Sequence, residues 1–496
     1  MKHPDAPNVV DSPLAQAAIT GDHAALAALV QEGANVNERF TVGQPGEFQY
    51  VAPLLCIAAA SPHGATADTL RLLIDAGADV ESDTGRFSAI EMTCMGLAMN
   101  HVGGDLERLV ALLSAGATLP SSPEAQAYIL CAAARTGDPE RLGFLLERGF
   151  DPNGHWDQAE AKRSYEELHA MFETTRDTLF PSEAEEAVPG LTNRMKALEA
   201  DFMKQITSAP SPDEIPLFVA AQSGNAECVR SLLNAGADVS ARDNSHQTAI
   251  FCARSLGTIR ALMAAGLSLE DVNCYGWTPL MSAVGEGEYA SEQVRCLIEA
   301  GANIHAAYDR GYTVFMRAVG SGRNRKTLTL LRDAGVDVHA VSELGYNAFH
   351  AAIDVNGEAS AEKSVRDTLN FLKECGVDIN HRNNAGYTPL ARSLEWGVGI
   401  DTRVLCELGA DAAIPVTTTV CDAGVCTCVE QYPVFAAFHG YQADQKVAAL
   451  IEFGTPLDVR DHQDRTPTQA ARDFFDDPND EEGRKILAML RAAGAP

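Results

Sequence analysis

Residues 276–304 read Gly276-Trp277-Thr278-Pro279-Leu280-Met281-Ser282-Ala283-Val284-Gly285 and then, after Glu286–Ala290, Ser291-Glu292-Gln293-Val294-Arg295-Cys296-Leu297-Ile298-Glu299-Ala300-Gly301-Ala302-Asn303-Ile304. Thr278 offers a side-chain oxygen to cap a short helix. Pro279 takes the first helical position, where a missing N–H removes no hydrogen bond. Leu297 and Ile298 mark the apolar face of a second helix, and Gly301 supplies the left-handed residue that stops it. A helix pair this short has one apolar face that it cannot bury alone, so it must stack on copies of itself.

Copies run in both directions. Gly386-Tyr387-Thr388-Pro389-Leu390 leads to Gly409-Ala410-Asp411 in the same order, while Ser12-Pro13-Leu14 and Thr466-Pro467 open further units. A leucine-rich helix ending in Gly, a small residue, then Asp or Asn recurs at Gly33, Gly77, Gly236, Gly335 and Gly376. Weaker copies stand at Gly116, Gly149, Gly266, Gly454 and Gly494. Most successive terminal glycines lie 30 to 45 residues apart, but Gly149 and Gly236 are 87 apart, which requires an insertion.

The pattern Gly-x-Thr-Pro-Leu, Ala, Leu-Leu, Gly-Ala-Asp-Val resembles the ankyrin repeat, whose period is about 33 residues. Two units depart from it, with Thr313-Val314-Phe315 and Asn347-Ala348-Phe349 in place of Thr-Pro-Leu; the third unit, with Phe87-Ser88-Ala89-Ile90, departs as well. The resemblance implies an all-α fold: an ankyrin-repeat helical solenoid of about 12 helix-pair units, with residues 1–153 as N-terminal and 213–496 as C-terminal repeats. A tetratricopeptide array, the rival helix-pair solenoid, lacks the Gly-Ala-Asp ending and its extended loop.

Two segments break the period. Within 154–212, Tyr165, Leu168, Phe172 and Leu179, then Leu191, Met195, Leu198, Phe202 and Ile206, fall at helical spacing on either side of Pro181, Pro189 and Gly190. A helical hairpin is expected, which either packs its own stripes away or serves as a recognition arm or hinge. At about 415–431, Val416–Val420 and Val425–Val429 flank Asp422-Ala423-Gly424, a β-hairpin signal. The loop from Arg39 to Val51 reads as a similar finger.

Acidic residues outnumber basic ones 68 to 38 in 496 residues, a formal charge of −30. Such a field repels phosphate backbones and anionic lipids, so neither nucleic acid nor membrane is expected as a partner. The acidity either maintains solubility or answers a basic protein partner. No run of about 18 apolar residues occurs, and Met1–Val10 has no secretory apolar core. The twelve cysteines are scattered, and Cys131, Cys228, Cys252, Cys296 and Cys406 fall inside apolar helix patterns. They read as small buried hydrophobes in a reducing, cytoplasmic setting.

Catalytic motifs are missing: no phosphate-binding Gly-x-x-x-x-Gly-Lys, His-Glu-x-x-His or Gly-x-Ser-x-Gly occurs. Cys421, Cys426 and Cys428, with His439 downstream, lack paired zinc-knuckle spacing. They read as structural cysteines, with a cross-strand thiol pair or a metal site as alternatives. Asp476-Asp477 and Asp480-Glu481-Glu482 read as a solvated charge run. No enzyme activity, cofactor or resident metal is expected.

For the resemblance, binding falls to a concave face of loops and first helices. Trp277, Tyr312, Tyr346 and Tyr387 each follow the loop glycine in four successive units, so stacking would align them. They act as interface anchors or as covers for neighbouring loops. With Tyr275, Tyr308, Arg310, Glu343 and Arg382 they form the candidate partner-binding set. His305 and His339, four residues after their glycines, read as satisfying loop carbonyls. The expected function is a monomeric protein–protein interaction scaffold. An inhibitor or immunity protein, an exported effector, and a metal or catalytic role in the insertions are the alternatives.

Overall fold

The helix boundaries written in the sequence are closed by the hydrogen bonds they call for. The computed structural model describes residues 11–42, 50–60, 66–83, 89–90, 93, 104–119, 123–154, 215–286, 290–322, 324–353, 362–395, 397–422, 425–439, 442–475 and 480–496. Ser12 Oγ accepts the Ala15 N–H at 3.3 Å, Thr278 Oγ1 that of Met281 at 3.3 Å, and Thr388 Oγ1 that of Ala391 at 3.1 Å. At the far end of such a pair, Gly301 has φ 100 and its N–H donates to the Ile298 carbonyl at 3.0 Å, while Ala302 donates to Leu297 at 3.0 Å. Only a residue without Cβ takes that φ cheaply. The two departing units keep the same device with other residues. Thr313 Oγ1 accepts the Met316 N–H at 3.2 Å and Asn347 Oδ1 that of His350 at 3.2 Å.

The Gly276–Gly301 pair shows how the two helices divide the packing. The first is buried along most of its length: Pro279–Val284 buries Pro279, Leu280, Met281, Ala283 and Val284 and leaves Ser282 half-exposed. The second shows one apolar face: Ser291–Ala300 buries Val294, Cys296 and Leu297 and leaves Arg295 pairing with Glu292 and Glu299 in solvent. Each fully buried leucine contributes on the order of 2 kcal/mol. One first helix shrinks to a 3-10 turn, Ala249–Cys252.

The chain forms two compact units, Met1–Asn244 with Thr248–Leu267, and Ser245–Gln247 with Ser268–Pro496. In the first unit, helix Pro123–Thr136 packs directly on helix Pro216–Ser223. Asn225 Nδ2 donates to the Gly137 carbonyl at 2.6 Å, and Asn153 Nδ2 to that of Gly236 at 3.0 Å. The repeats flanking residues 155–214 are therefore immediate neighbours. The helical hairpin expected there lies outside the described residues, as does Phe87-Ser88.

Strands are confined to loops. β1 (Arg39–Val42) pairs antiparallel with β2 (Tyr50–Pro53), which gives the expected finger a ladder from Arg39 opposite Pro53 to Val42 opposite Tyr50. In the second unit β3 (Ala307–Tyr308) pairs with β4 (Tyr312–Thr313). The expected hairpin is β5 (Val416–Asp422) and β6 (Val425–Gln431), whose register sets Cys421 opposite Cys426 and Thr419 opposite Cys428. Along the second helices of this unit, Arg325–Glu374 at 2.6 Å, Arg366–Glu407 and Arg403–Glu452 at 2.8 Å link one repeat to the next. Exposed pairs of this kind contribute about 0–1 kcal/mol each. Among the described residues no helix is long and apolar enough to cross a membrane.

Candidate functional site: the loop fingers of the second unit

The loops begin with a local constraint. In three of these loops the residue two after the terminal glycine accepts the N–H two residues on: Asn303 from His305, Asp337 from His339 and Asp378 from Asn380, each at 2.9 Å. This turn explains why Asp or Asn follows Gly-Ala so often. Two residues further, the side chain reaches the next repeat: Glu270 Oε1 accepts the Asn303 N–H at 3.0 Å and Asn380 Oδ1 that of Asp411 at 2.9 Å. His305 and His339 hold the same position. Their rings are exposed and make no hydrogen bond among the described residues, so the expectation that they satisfy loop carbonyls is corrected. The neighbour presents an N–H here, which an amide or carboxylate oxygen reaches and the imidazole does not. It is His381 whose Nε2 meets a loop carbonyl, that of Gly345 at 3.0 Å.

Each finger then folds around a capping side chain. Asn273 Oδ1 accepts the N–H of Tyr275 and of Trp277, both at 3.0 Å. Asn383 Oδ1 does the same for Ala385 at 3.0 Å and Tyr387 at 2.8 Å. Backbone bonds fasten finger to finger: Cys274 N–H to Ser245 at 2.9 Å, Glu343 N–H to Arg310 at 2.9 Å, and Asn384 N–H to Leu344 at 3.0 Å.

These fingers align the rings. Tyr275 stacks on Trp277 at 4.7 Å, Trp277 meets Tyr308 edge-on at 6.1 Å, Tyr308 meets Tyr312 at 6.1 Å, and Tyr312 meets Tyr346 at 6.2 Å. The contacts continue from Tyr346 to His350 at 5.3 Å and from His350 to His381 at 6.0 Å. Trp277, Tyr308, Tyr312 and Tyr346 are half-buried, and Tyr275 is 59% exposed. Tyr387 is placed differently from its counterparts: it is 7% exposed, and its carbonyl accepts from His350 Nε2 at 2.9 Å. Arg310 and Glu343 stand exposed on the second and third loops of the run. Arg382 is exposed but engaged, with Nη2 donating to the Pro415 carbonyl at 2.8 Å and Nη1 facing Glu430 at 3.4 Å.

Two cations that sequence reasoning missed complete the row. The Arg317 guanidinium lies 3.3 Å over the Trp277 ring and its Nε donates to the Met281 carbonyl at 2.7 Å. Arg392 lies 4.6 Å over Tyr346. Each stands four residues after its helix-capping threonine, Thr313 or Thr388, and covers the ring of an earlier repeat. That shared offset was the available signal. Gly285 leaves room for the first, since a Cβ there would come 2.9 Å from Arg317 Nη2. Burial lowers the Arg317 pKa, and Tyr308 opposes that shift. His350, fully buried, is pushed down to about 4 by burial; its bond to the Tyr387 carbonyl works upward, while His381 and Arg392 add to the depression.

Other polar clusters are sealed. Lys446 is fully buried with Nζ donating to the Leu394 carbonyl at 2.8 Å, and burial pushes its pKa down to about 8 against the pull of Asp401 and Glu482. Ser393 and Thr402, bonded to each other at 3.0 Å, are likewise buried. With no opening to solvent these groups tie helices together. Asp480 Oδ1 caps the last helix, accepting from Glu482 at 3.0 Å and Gly483 at 3.2 Å; Asp476-Asp477 lie outside the described residues. Among the described residues no three His, Cys, Asp or Glu side chains gather to hold a metal ion. The side chains of Cys421, Cys426 and Cys428 are outside them.

Residues 217–308 and 252–342 match the sequence family described as ankyrin repeats in 3 copies. Among solved structures, the human ASB11 ankyrin repeat domain is 19% identical, covering 47% of this chain and 92% of its own, with a TM-score of 0.35. The ankyrin repeat domain of Bcl-3, a member of the IkappaB protein family, is 21% identical over 56% and 97% of the two chains, with a TM-score of 0.34. An ankyrin repeat domain from Acinetobacter baumannii AYE is 24% identical over 40% and 100%, with a TM-score of 0.32. No curated protein matches the chain.

Proposed function

This chain is an ankyrin-repeat protein, and from that premise we propose that it is a protein–protein interaction scaffold whose partner docks on the loop fingers and first helices of the second unit. Ankyrin repeats are generally protein–protein interaction modules. The observation that carries the narrower reading is the unbroken run of ring contacts from Tyr275 to His381, crossing four fingers that are already hydrogen-bonded to their neighbours. A surface ordered before binding loses little entropy when a partner arrives. Aromatic and arginine side chains are the residue types that dominate interface energetics.

The partner is a basic protein and the scaffold acts as a single chain, because a net charge of −30 favours opposite charge and opposes self-association. The eight cysteines that can be described are all free, in keeping with a reducing compartment. Affinity capture with the full chain, compared with a Trp277→Ala/Tyr312→Ala/Tyr346→Ala variant whose melting is measured in parallel, tests the surface. Recovery of a basic partner should fall about 10-fold or more. Equal recovery by a folded variant rules the surface out.

A further inference from the structure

Seven large apolar side chains stand exposed among the described residues. Four of them, Val272, Tyr275, Val341 and Leu344, lie on two fingers of the second unit, at 50%, 59%, 51% and 37% exposure. They hold the same two places in each finger: directly before the loop cap, Asn273 or Ser342, and directly before the loop glycine, Gly276 or Gly345. The rings behind them are half-buried, and Trp277 is flanked by Tyr275 at 4.7 Å and by the Arg317 guanidinium at 3.3 Å. The most exposed apolar side chains of these fingers are therefore at the tips.

The same tips carry carboxylates. Asp271, Asp309, Asp337 and Glu343 form no ion pair among the described residues, and across loop residues 268–277, 303–312 and 337–346 the one arginine or lysine is Arg310. Covering Val272 or Leu344 with an apolar partner takes water from the neighbouring carboxylates as well, which costs free energy unless cations come with it. An acidic or purely apolar occupant is disfavoured, and a second copy of this chain would bring its own −30.

We propose that this strip of finger tips docks a basic segment of a partner protein whose apolar side chains meet Val272, Tyr275, Val341 and Leu344 and whose lysines or arginines meet Asp271, Asp309 and Glu343. The assignment rests on the interaction-scaffold reading and adds the place and the chemistry of contact. The test is selection of a random 12-residue peptide library on the full chain. Enriched peptides should combine basic and apolar residues, bind less well as salt rises to about 0.5 M, and weaken about 10-fold or more on Tyr275→Ser/Leu344→Ser. Both substituted side chains are exposed, and an unchanged melting curve confirms that the variant is folded. A selection that returns no binders, acidic binders, or binders indifferent to Tyr275→Ser/Leu344→Ser overturns the proposal. If it fails while capture of a whole partner is still lost in the Trp277/Tyr312/Tyr346 variant, the scaffold reading stands and the tip strip alone falls.

Discussion

In the first unit, loop meets loop through polar rungs. Asn37 brackets the next repeat by donating to the Gly77 carbonyl at 2.9 Å and accepting the Asp79 N–H at 2.8 Å. Glu81 accepts the Thr118 N–H at 2.7 Å, and Asn153 accepts that of Asp238 at 2.6 Å. In the second unit, between Gly301 and Gly376, His305 and His339 hold the rung position and make no such bond, and Tyr308, Tyr312 and Tyr346 supply the contact instead. A polar rung sets spacing with groups that water also satisfies, so it adds little surface that a partner could use. A ring does both: it covers its neighbour and leaves an amphipathic edge outward. Between Gly301 and Gly376 the loop-to-loop contact thus passes from the rung position to rings further along the finger.

The largest break in this comparison comes from acid. His350 belongs to the second unit's ring run, and its folded pKa of about 4 lies below the ordinary value of 6.5. Between those values the unfolded chain binds a proton that the folded chain does not, so stability rises with pH across the window and is lost on acidification through it. The loss amounts to at most about 3 kcal/mol. Hydrogen exchange at pH 7 and pH 4.5 should show protection falling more in the second unit than in the first, with the difference shrinking in His350→Gln. Equal loss in both units, unchanged by the substitution, would reject the account.

A smaller effect sharpens the role of the cations over the rings. Arg317→Met removes the guanidinium from Trp277 and leaves the Met281 carbonyl without this donor, and it should cost about 2 kcal/mol. The near-ultraviolet circular dichroism of the stacked rings should weaken with it. An unchanged spectrum would mean that the rings are ordered by their own contacts. Smallest is the rung itself: Asn153→Ala should cost about 1 kcal/mol, measured as lost protection confined to the first unit.

Much of the fold was legible because its signals act locally. Ser12, Thr278, Thr388 and Thr466 cap the helices they were expected to cap, and β5–β6 forms where valines and threonines flank Asp422-Ala423-Gly424. The Thr313 and Asn347 units, which look degenerate as text, keep the cap because any side-chain oxygen at that place will serve. The ring row was half legible. A shared offset from the loop glycine announced Trp277, Tyr312 and Tyr346, but the same offset placed Tyr387 beside them, and there it turns inward with His350 on its carbonyl. Val272, Val341 and Leu344 were passed over because a lone aliphatic residue in a loop has no pattern to announce exposure.

The sequence by itself determined where helices start, where they stop and that they must repeat, since a cap or a terminal glycine acts within one helical turn of its own position. Only the tertiary structure decided which rings are covered, that Arg317 and Arg392 lie over them, and which tips meet water, because each of those outcomes depends on a neighbour one repeat away that stacking alone brings near.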